Sequence, residues 1–273
     1  MRVVSLRNAH LYADVLPEVG GGLARLDLAR DGQRLAVLRG LDASAQSPTA
    51  SQLACFPLVP WSNRISPEGF EFEGRAVRPA PNRAGEPCPI HGHGWQHAWK
   101  VVDKSDTHVT LSIDHHDDAT FSYHAQLRYR LQGAALHVDL EVRNDGMRPM
   151  PFGLGLHPWM PRDDDVVLRA PAQHAQWDFT QSKPLPSGAV DHVFSGWDGA
   201  AQIRWPAKGI TLDITANMAY FILYAPVGRD FFCFEPVDHL INAHNLPGGP
   251  VANGLTVLAP GQSLGRSVKF ACS

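Results

Sequence analysis

Apolar residues recur at every second position in one short run after another along this chain, and Gly, Pro, Asn and Asp punctuate the runs. This alternation constrains the fold more than any other feature. A strand points successive side chains to opposite faces, whereas an amphipathic helix needs a period of about 3.6 residues. Leu23-Ala-Arg-Leu-Asp-Leu-Ala alternates, breaks at Asp31-Gly32, and resumes as Arg34-Leu-Ala-Val-Leu. Asp-Gly between such runs is a strong hairpin signal, because both central positions of the favoured turn take φ > 0. Phe70-Glu-Phe-Glu-Gly-Arg-Ala-Val predicts a second hairpin about Gly74. Residues 121–131 and 135–142 flank Gln132-Gly133 as a third, and Gln202-Ile-Arg-Trp and Ile210-Thr-Leu-Asp-Ile flank 206–209 as a fourth. Further strands are predicted at 109–113, 166–168, 220–224, 231–234 and 267–270. No segment keeps an apolar 3.6-residue period over three turns, and no Gly-rich strand-to-helix motif occurs, which disfavours a dinucleotide fold. The prediction is an all-β chain: one large, mostly antiparallel β-sandwich.

A chain of 273 residues falls under a soft prior of about 150 residues per domain. Sandwiches routinely exceed that prior, and no boundary stands out, so a single domain over 1–273 is expected. The polar stretch 42–52 and the Pro-rich stretch 79–89 read as long loops available to build a site. With 24 Lys plus Arg against 27 Asp plus Glu, no clustered positive charge favours nucleic acid as a partner. The four cysteines show neither CxxC nor another metal spacing. Residues 1–12 lack the basic stretch and apolar run of a signal peptide. The most apolar stretch, 218–227, contains Pro226 and is too short to span a membrane. The composition reads as a reduced, cytoplasmic protein with no membrane partner.

The chemistry-bearing residues are concentrated in a few segments. Histidine is abundant, at 14 residues, and His108, His115 and His116 in their Asp-rich stretch read as solvated. The dense region is Ile90-His-Gly-His-Gly-Trp-Gln-His-Ala-Trp. On a strand, His91 and His93 would share one face and could ligate a metal. A cupin-type site wants a glutamate three or four residues after the second histidine; His97 and Ala98 follow instead, and no metal is expected. Gly92 and Gly94 read as positions of close backbone approach to a ligand. In Phe56-Pro-Leu-Val-Pro-Trp-Ser-Asn-Arg-Ile, Asn63 and Arg64 offer several fixed donors, unless Arg64 merely closes a loop. In Pro151-Phe-Gly-Leu-Gly-Leu-His-Pro-Trp-Met, His157 has apolar neighbours, the usual company of a satisfied core histidine. Glu235 ends the run Phe231-Phe-Cys-Phe-Glu, where a carboxylate is costly to bury unless paired or used.

Taken together, these segments resemble the aldose 1-epimerase (galactose mutarotase) family. Asn63-Arg64-Ile65 is similar to its N-R-I segment, and Ile90-His91-Gly92 to its L-H-G segment. Gly155-Leu-His157-Pro-Trp resembles its central histidine, and Asp191-His-Val-Phe its D-x-x-F stretch. Phe234-Glu235-Pro-Val, followed by Asn242-Ala-His-Asn, is similar to the segment holding its catalytic glutamate. The five matches come in family order. Two departures bear on sugar preference: His93 stands where H-G-G is usual, and Pro158-Trp159-Met160 replaces H-x-Y-F.

The resemblance implies a galactose-mutarotase-like β-sandwich (a supersandwich), no cofactor, and a monosaccharide substrate. It implies interconversion of α and β anomers of a free aldose by acid–base ring opening and reclosure. By residue, it makes Glu235 the base at O1, His157 the acid at O5, and His91 an assistant at the ring oxygen. Arg64 and Asp191 hold hydroxyls, Asn63 supports them, and Trp159 walls the sugar face. The role of His93, the preferred aldose and the oligomeric state are not implied. Competing readings are a non-catalytic carbohydrate-binding sandwich, a sugar-phosphate mutarotase, and a glycosidase. The last would pair Asp191 with Glu235 and leave both histidines idle.

Overall fold

The computed structural model describes residues 2–42 and 44–273, so the expected loop 42–52 is described apart from Ala43. Two nine-stranded sheets dominate it, and all of their strand pairs are antiparallel. The first sheet runs in spatial order Val4–Arg7, Leu11–Leu16, Gly22–Arg30, Cys55–Leu58, Gly155–Pro161, Phe231–Val237, Tyr220–Ala225, Val190–Phe194, with Gln33–Ala36 branching from Gly22–Arg30. The second runs Lys183–Pro184, Val167–Arg169, Ala200–Trp205, Ile210–Ala216, Ser263–Cys272, Ala135–Asn144, Tyr123–Gln132, His108–His115, Lys100–Lys104. The one α-helix among the described residues is Gly249–Ala252. No described helix is long and apolar enough to cross a membrane.

The four expected hairpins are present. Asp31 (φ 51°) and Gly32 (φ 75°) both adopt the left-handed conformation the turn requires, with Arg30 paired to Gln33. The 166–168 strand is displaced by one residue, to Val167–Arg169. The alternation did not reveal Cys55–Leu58 or Gly155–Pro161 as strands. Both are covered on two faces, so apolar residues occupy both parities and the period-two signal disappears.

That double covering creates the site. Phe232 and Phe234 of Phe231–Val237 enter the core between the sheets, together with Leu156 and Met160 of the neighbouring strand. Tyr129 crosses from the second sheet, its hydroxyl donating to the Gly21 carbonyl at 3.0 Å. The opposite parity, Cys233 and Glu235 with His157 and Trp159, faces away from this core. A second apolar cluster, including Phe56, Leu58, Ile90, Trp95, Ile222 and Val237, covers that outer face of the first sheet.

Candidate active site

Strand register fixes the floor of the pocket. Gly155 pairs with Val237 and Trp159 with Cys233, which leaves His157 opposite Glu235. Continuing across the sheet, Phe56 pairs with His157 and Ile222 with Glu235. One step along, Tyr224 pairs with both Asp191 and Cys233. Two adjacent cross-strand rows therefore place His157, Glu235, Trp159 and Asp191 on one face.

The walls come from two tight turns and a loop. Asn63 (φ 53°) and His91 (φ 61°) are both left-handed, a conformation uncommon outside glycine, which Asn and His adopt more readily than most residues, and one often found at functional sites. They lock each other: the His91 N–H donates to the Asn63 carbonyl at 2.9 Å, and the Asn63 N–H donates to His91 Nδ1 at 3.0 Å. Below them His239 Nε2 accepts from the Ser62 N–H at 3.0 Å and lies 3.1 Å from the Ser62 hydroxyl. Gly92 (φ 70°) follows because a Cβ there would collide with the Val59 carbonyl. The close approach expected at Gly92 is thus to the chain's own backbone rather than to a ligand. The loop 79–89 is pinned over the mouth by Asn82, whose amide donates to the Ile90 and Gly92 carbonyls at 2.8 Å each.

The resulting cavity has a volume of about 340 Å³ and is lined by all seven residues singled out in the sequence: Asn63, Arg64, His91, His157, Trp159, Asp191 and Glu235. Arg83, Glu86, Tyr224, Phe56 and Trp95 also line it and were not read as site residues. Tyr224 carried a usable signal, since it lies in a predicted strand that ends beside the Glu235 strand. Arg83 and Glu86 carried none, because only the folded loop brings their charges to the mouth. Arg64 Nε donates to Glu86 Oε2 at 2.8 Å.

Glu235 and His157 are 2% and 7% exposed, and His157 Nε2 lies 3.3 Å from Glu235 Oε1. The imidazole is sandwiched between Phe56 (centroids 4.5 Å, 28°) and Trp159 (5.2 Å, 16°), so its edge alone can engage the carboxyl. Arg39 in turn lies 4.2 Å from the Trp159 ring centroid. Burial lowers His157 to about 3, and burial with the nearby Asp191 charge raises Glu235 well above the usual carboxylate range, Arg64 opposing. Both effects favour neutral partners. His91 is likewise held well below its ordinary value, by burial first and then by the field of His157, Arg64 and Arg83. Because His91 Nδ1 accepts the Asn63 N–H, its proton resides on Nε2.

Two sequence expectations are corrected. His91 and His93 do not share a strand face; the left-handed backbone at His91 and Gly92 sends them apart. His93 leaves the pocket and stacks on His115 of the second sheet at 3.9 Å and 16°. His115 is accordingly half-buried rather than solvated. Among the described residues, one group offers three close metal-ligand atoms, all within 4.8 Å of one another: His157, Cys233 and Glu235.

A two-sheet antiparallel sandwich is the fold the family resemblance implies, and comparison with known proteins agrees. A family model described as aldose 1-epimerase matches residues 2–271, and the chain belongs to that family. "Uncharacterized protein YphB" of Escherichia coli (strain K12) is 33% identical over 245 residues, covering 80% of this chain and 83% of its own. A solved Escherichia coli K12 structure named "Putative aldose 1-epimerase" matches with a TM-score of 0.90 at 29% identity, over 100% of this chain and 99% of its own. A galactose mutarotase-like protein from Clostridium acetobutylicum shares the fold at 18% identity, with a TM-score of 0.84 over 99% and 95% of the two chains. The fold is the galactose-mutarotase-like β-sandwich.

Proposed function

We propose that this protein is an aldose 1-epimerase in activity as well as in family, acting as a single unit on a free monosaccharide. The observation that carries the reading is the Glu235–His157 pair, 3.3 Å apart at the floor of an open pocket. Mutarotation needs a base at the anomeric hydroxyl and an acid at the ring oxygen. Those two oxygens hang on the same carbon, so the base and the acid must be neighbours as well.

The pair holds one mobile proton, whether it is written as carboxylic acid with neutral imidazole or as carboxylate with imidazolium. One proton and one vacancy are what the reaction requires in either direction. Glu235 takes the O1 proton while His157 delivers one to O5. The C1–C2 bond rotates in the open-chain aldehyde, and the ring recloses with the two roles exchanged. His91 donates its Nε2–H to the ring oxygen and stabilises the charge developing there. Arg64, held by Glu86 and Asn63, and Asp191 orient the hydroxyls, and Trp159 offers its ring to the apolar sugar face.

A glycosidase would use two carboxylates flanking the scissile bond. Glu235 instead faces an imidazole, which favours ring opening. Polarimetry tests the proposal: catalytic protein should accelerate the optical-rotation decay of fresh α-D-glucose, α-D-galactose or another single-anomer aldose. A panel in which every sugar decays at the buffer rate while binding persists would establish the non-catalytic sugar-binding reading instead.

A further inference from the structure

We propose that the pocket floor is also a binding site for a soft divalent cation of the zinc type, held by His157, Cys233 and Glu235, and that its occupancy reversibly inhibits the enzyme. The inhibitory half of this statement rests on the mutarotase reading; the binding half does not.

Cys233 has no part in ring opening, yet register places it beside the acid–base pair. It stands two residues before Glu235 on the same strand face, opposite Trp159. Its sulfur, a ring nitrogen of His157 and a carboxylate oxygen of Glu235 lie within 4.8 Å of one another. The 3.3 Å between His157 Nε2 and Glu235 Oε1 matches the edge of a tetrahedron about an ion with legs of about 2.0–2.2 Å to nitrogen and oxygen. Thiolate and imidazole donors select zinc-like ions over magnesium and calcium. His157 and Glu235 line the cavity, so an ion reaches the site from the pocket.

Charge favours the same occupant. On binding, the Cys233 thiol proton and the mobile proton of the His157–Glu235 pair leave to solvent. The dication then meets a thiolate, a carboxylate and a neutral imidazole, and the buried assembly carries no net charge. Glu235 Oε2 and His157 Nδ1 have no hydrogen-bond partner among the described residues. The carboxyl therefore keeps an unused acceptor oxygen, and the imidazole lacks the outer partner that strengthens a permanent metal site. This supports a reversible clasp that occupies both catalytic groups. Sequence spacing could not show it, because its ligands come from two strands.

The test uses EDTA-treated full-length protein and cobalt(II) and zinc(II) as probes. EDTA treatment should leave mutarotation intact, and one equivalent of Co²⁺ should give a thiolate-to-metal absorption band. Zn²⁺ should suppress mutarotation at least tenfold, EDTA should restore it, and Mg²⁺ should do neither. Cys233→Ser, with Cys233→Ala as a second variant, should keep metal-free turnover and lose the cobalt band. Its zinc affinity should weaken by more than the roughly 10–100-fold that an outer-shell change costs. An absent cobalt band in the unsubstituted protein, or zinc binding undiminished in both variants, overturns the site. A Cys233-dependent band in a protein that accelerates no sugar's mutarotation leaves the site standing and overturns the inhibitory role.

Discussion

Two pairs of histidines, drawn from one ten-residue segment and its neighbours, are held neutral in different surroundings. His91 lies edge-on to His157 with ring centroids 5.2 Å apart, and both line the cavity. His93, two residues on, stacks face to face on His115, with Trp61 edge-on at 5.4 Å and Tyr123 close by. Burial pushes both His157 and His93 down to about 3. Depressed basicity therefore does not distinguish a reactive imidazole from one that braces a loop. What differs is the partner. His157 faces the Glu235 carboxyl at 3.3 Å, and it opens onto a cavity. His93 faces another imidazole, and His93 Nδ1, His115 Nε2, Tyr123 OH and Trp61 Nε1 have no hydrogen-bond partner among the described residues. In the first pair a carboxyl 3.3 Å from His157 gives the proton an exit, and no hydrogen-bonded carboxyl stands beside the second among the described residues.

The largest effect should come from removing that exit. Glu235→Gln keeps the shape and removes the base, so kcat should fall by about 10²–10⁴-fold, with sugar affinity and Tm retained. His157→Asn should lose a comparable factor. Measuring kcat, sugar affinity and Tm together on both variants decides the matter; unimpaired kcat in well-folded Glu235→Gln would falsify the mechanism.

The pH profile sharpens the comparison next. Ordinary glutamate and histidine values would place the two limbs of a bell close together, with the carboxylate on the acid side. Burial disfavours both the doubly protonated pair, which is cationic, and the fully deprotonated pair, which is anionic. The acid limb therefore moves down towards the His157 value of about 3 and the alkaline limb up, well above 4.5, with Glu235. The limbs belong to the pair rather than to single residues. A kcat/KM profile measured with rate-limiting chemistry should show a plateau broader than the two ordinary values allow. A narrow bell centred between pH 4.5 and 6.5 would show that the pair is not desolvated in the working enzyme.

The smallest effect concerns the bracing pair. The folded-state value of His93 is depressed, so its contribution to stability is present above about 6.5 and is lost as pH falls towards about 3. His93→Phe keeps a ring against His115 and cannot take up a proton. Discounting for partial exposure, the variant should lose about 1–2 kcal/mol less stability than the parent between pH 7 and pH 5, a few degrees in Tm. Its kcat per folded molecule should match the parent at pH 7. A kcat loss like that of Glu235→Gln would move His93 into the catalytic set.

Much of the fold was legible because period two is a local property. Asp31-Gly32, Gly74, Gln132-Gly133 and 206–209 each announced a turn between strands that pair as expected. Glu235 was legible for the same reason: a carboxylate inside an apolar strand violates the local pattern and needs a purpose. Segment likeness supplied Asp191 and Trp159 and gave roles to Asn63, Arg64, His91 and His157, since an individual His or Arg in an irregular turn gives no periodic signal.

Sequence by itself thus determined an all-β antiparallel chain, its main hairpins, and the segments that carry the chemistry. Only the tertiary structure decided that Cys55–Leu58 and Gly155–Pro161 are strands at all, because covering both faces erases the alternation that would mark them. It also decided that His91 turns inward and His93 away, since two successive left-handed residues, His91 and Gly92, break a parity that an extended chain would have kept. The Arg64–Glu86 bridge, the presence of Arg83 at the mouth, and the apposition of Cys233 with His157 and Glu235 depend on which strands and loops become neighbours. Contact between distant segments is set by sheet order and register, and no local pattern encodes either.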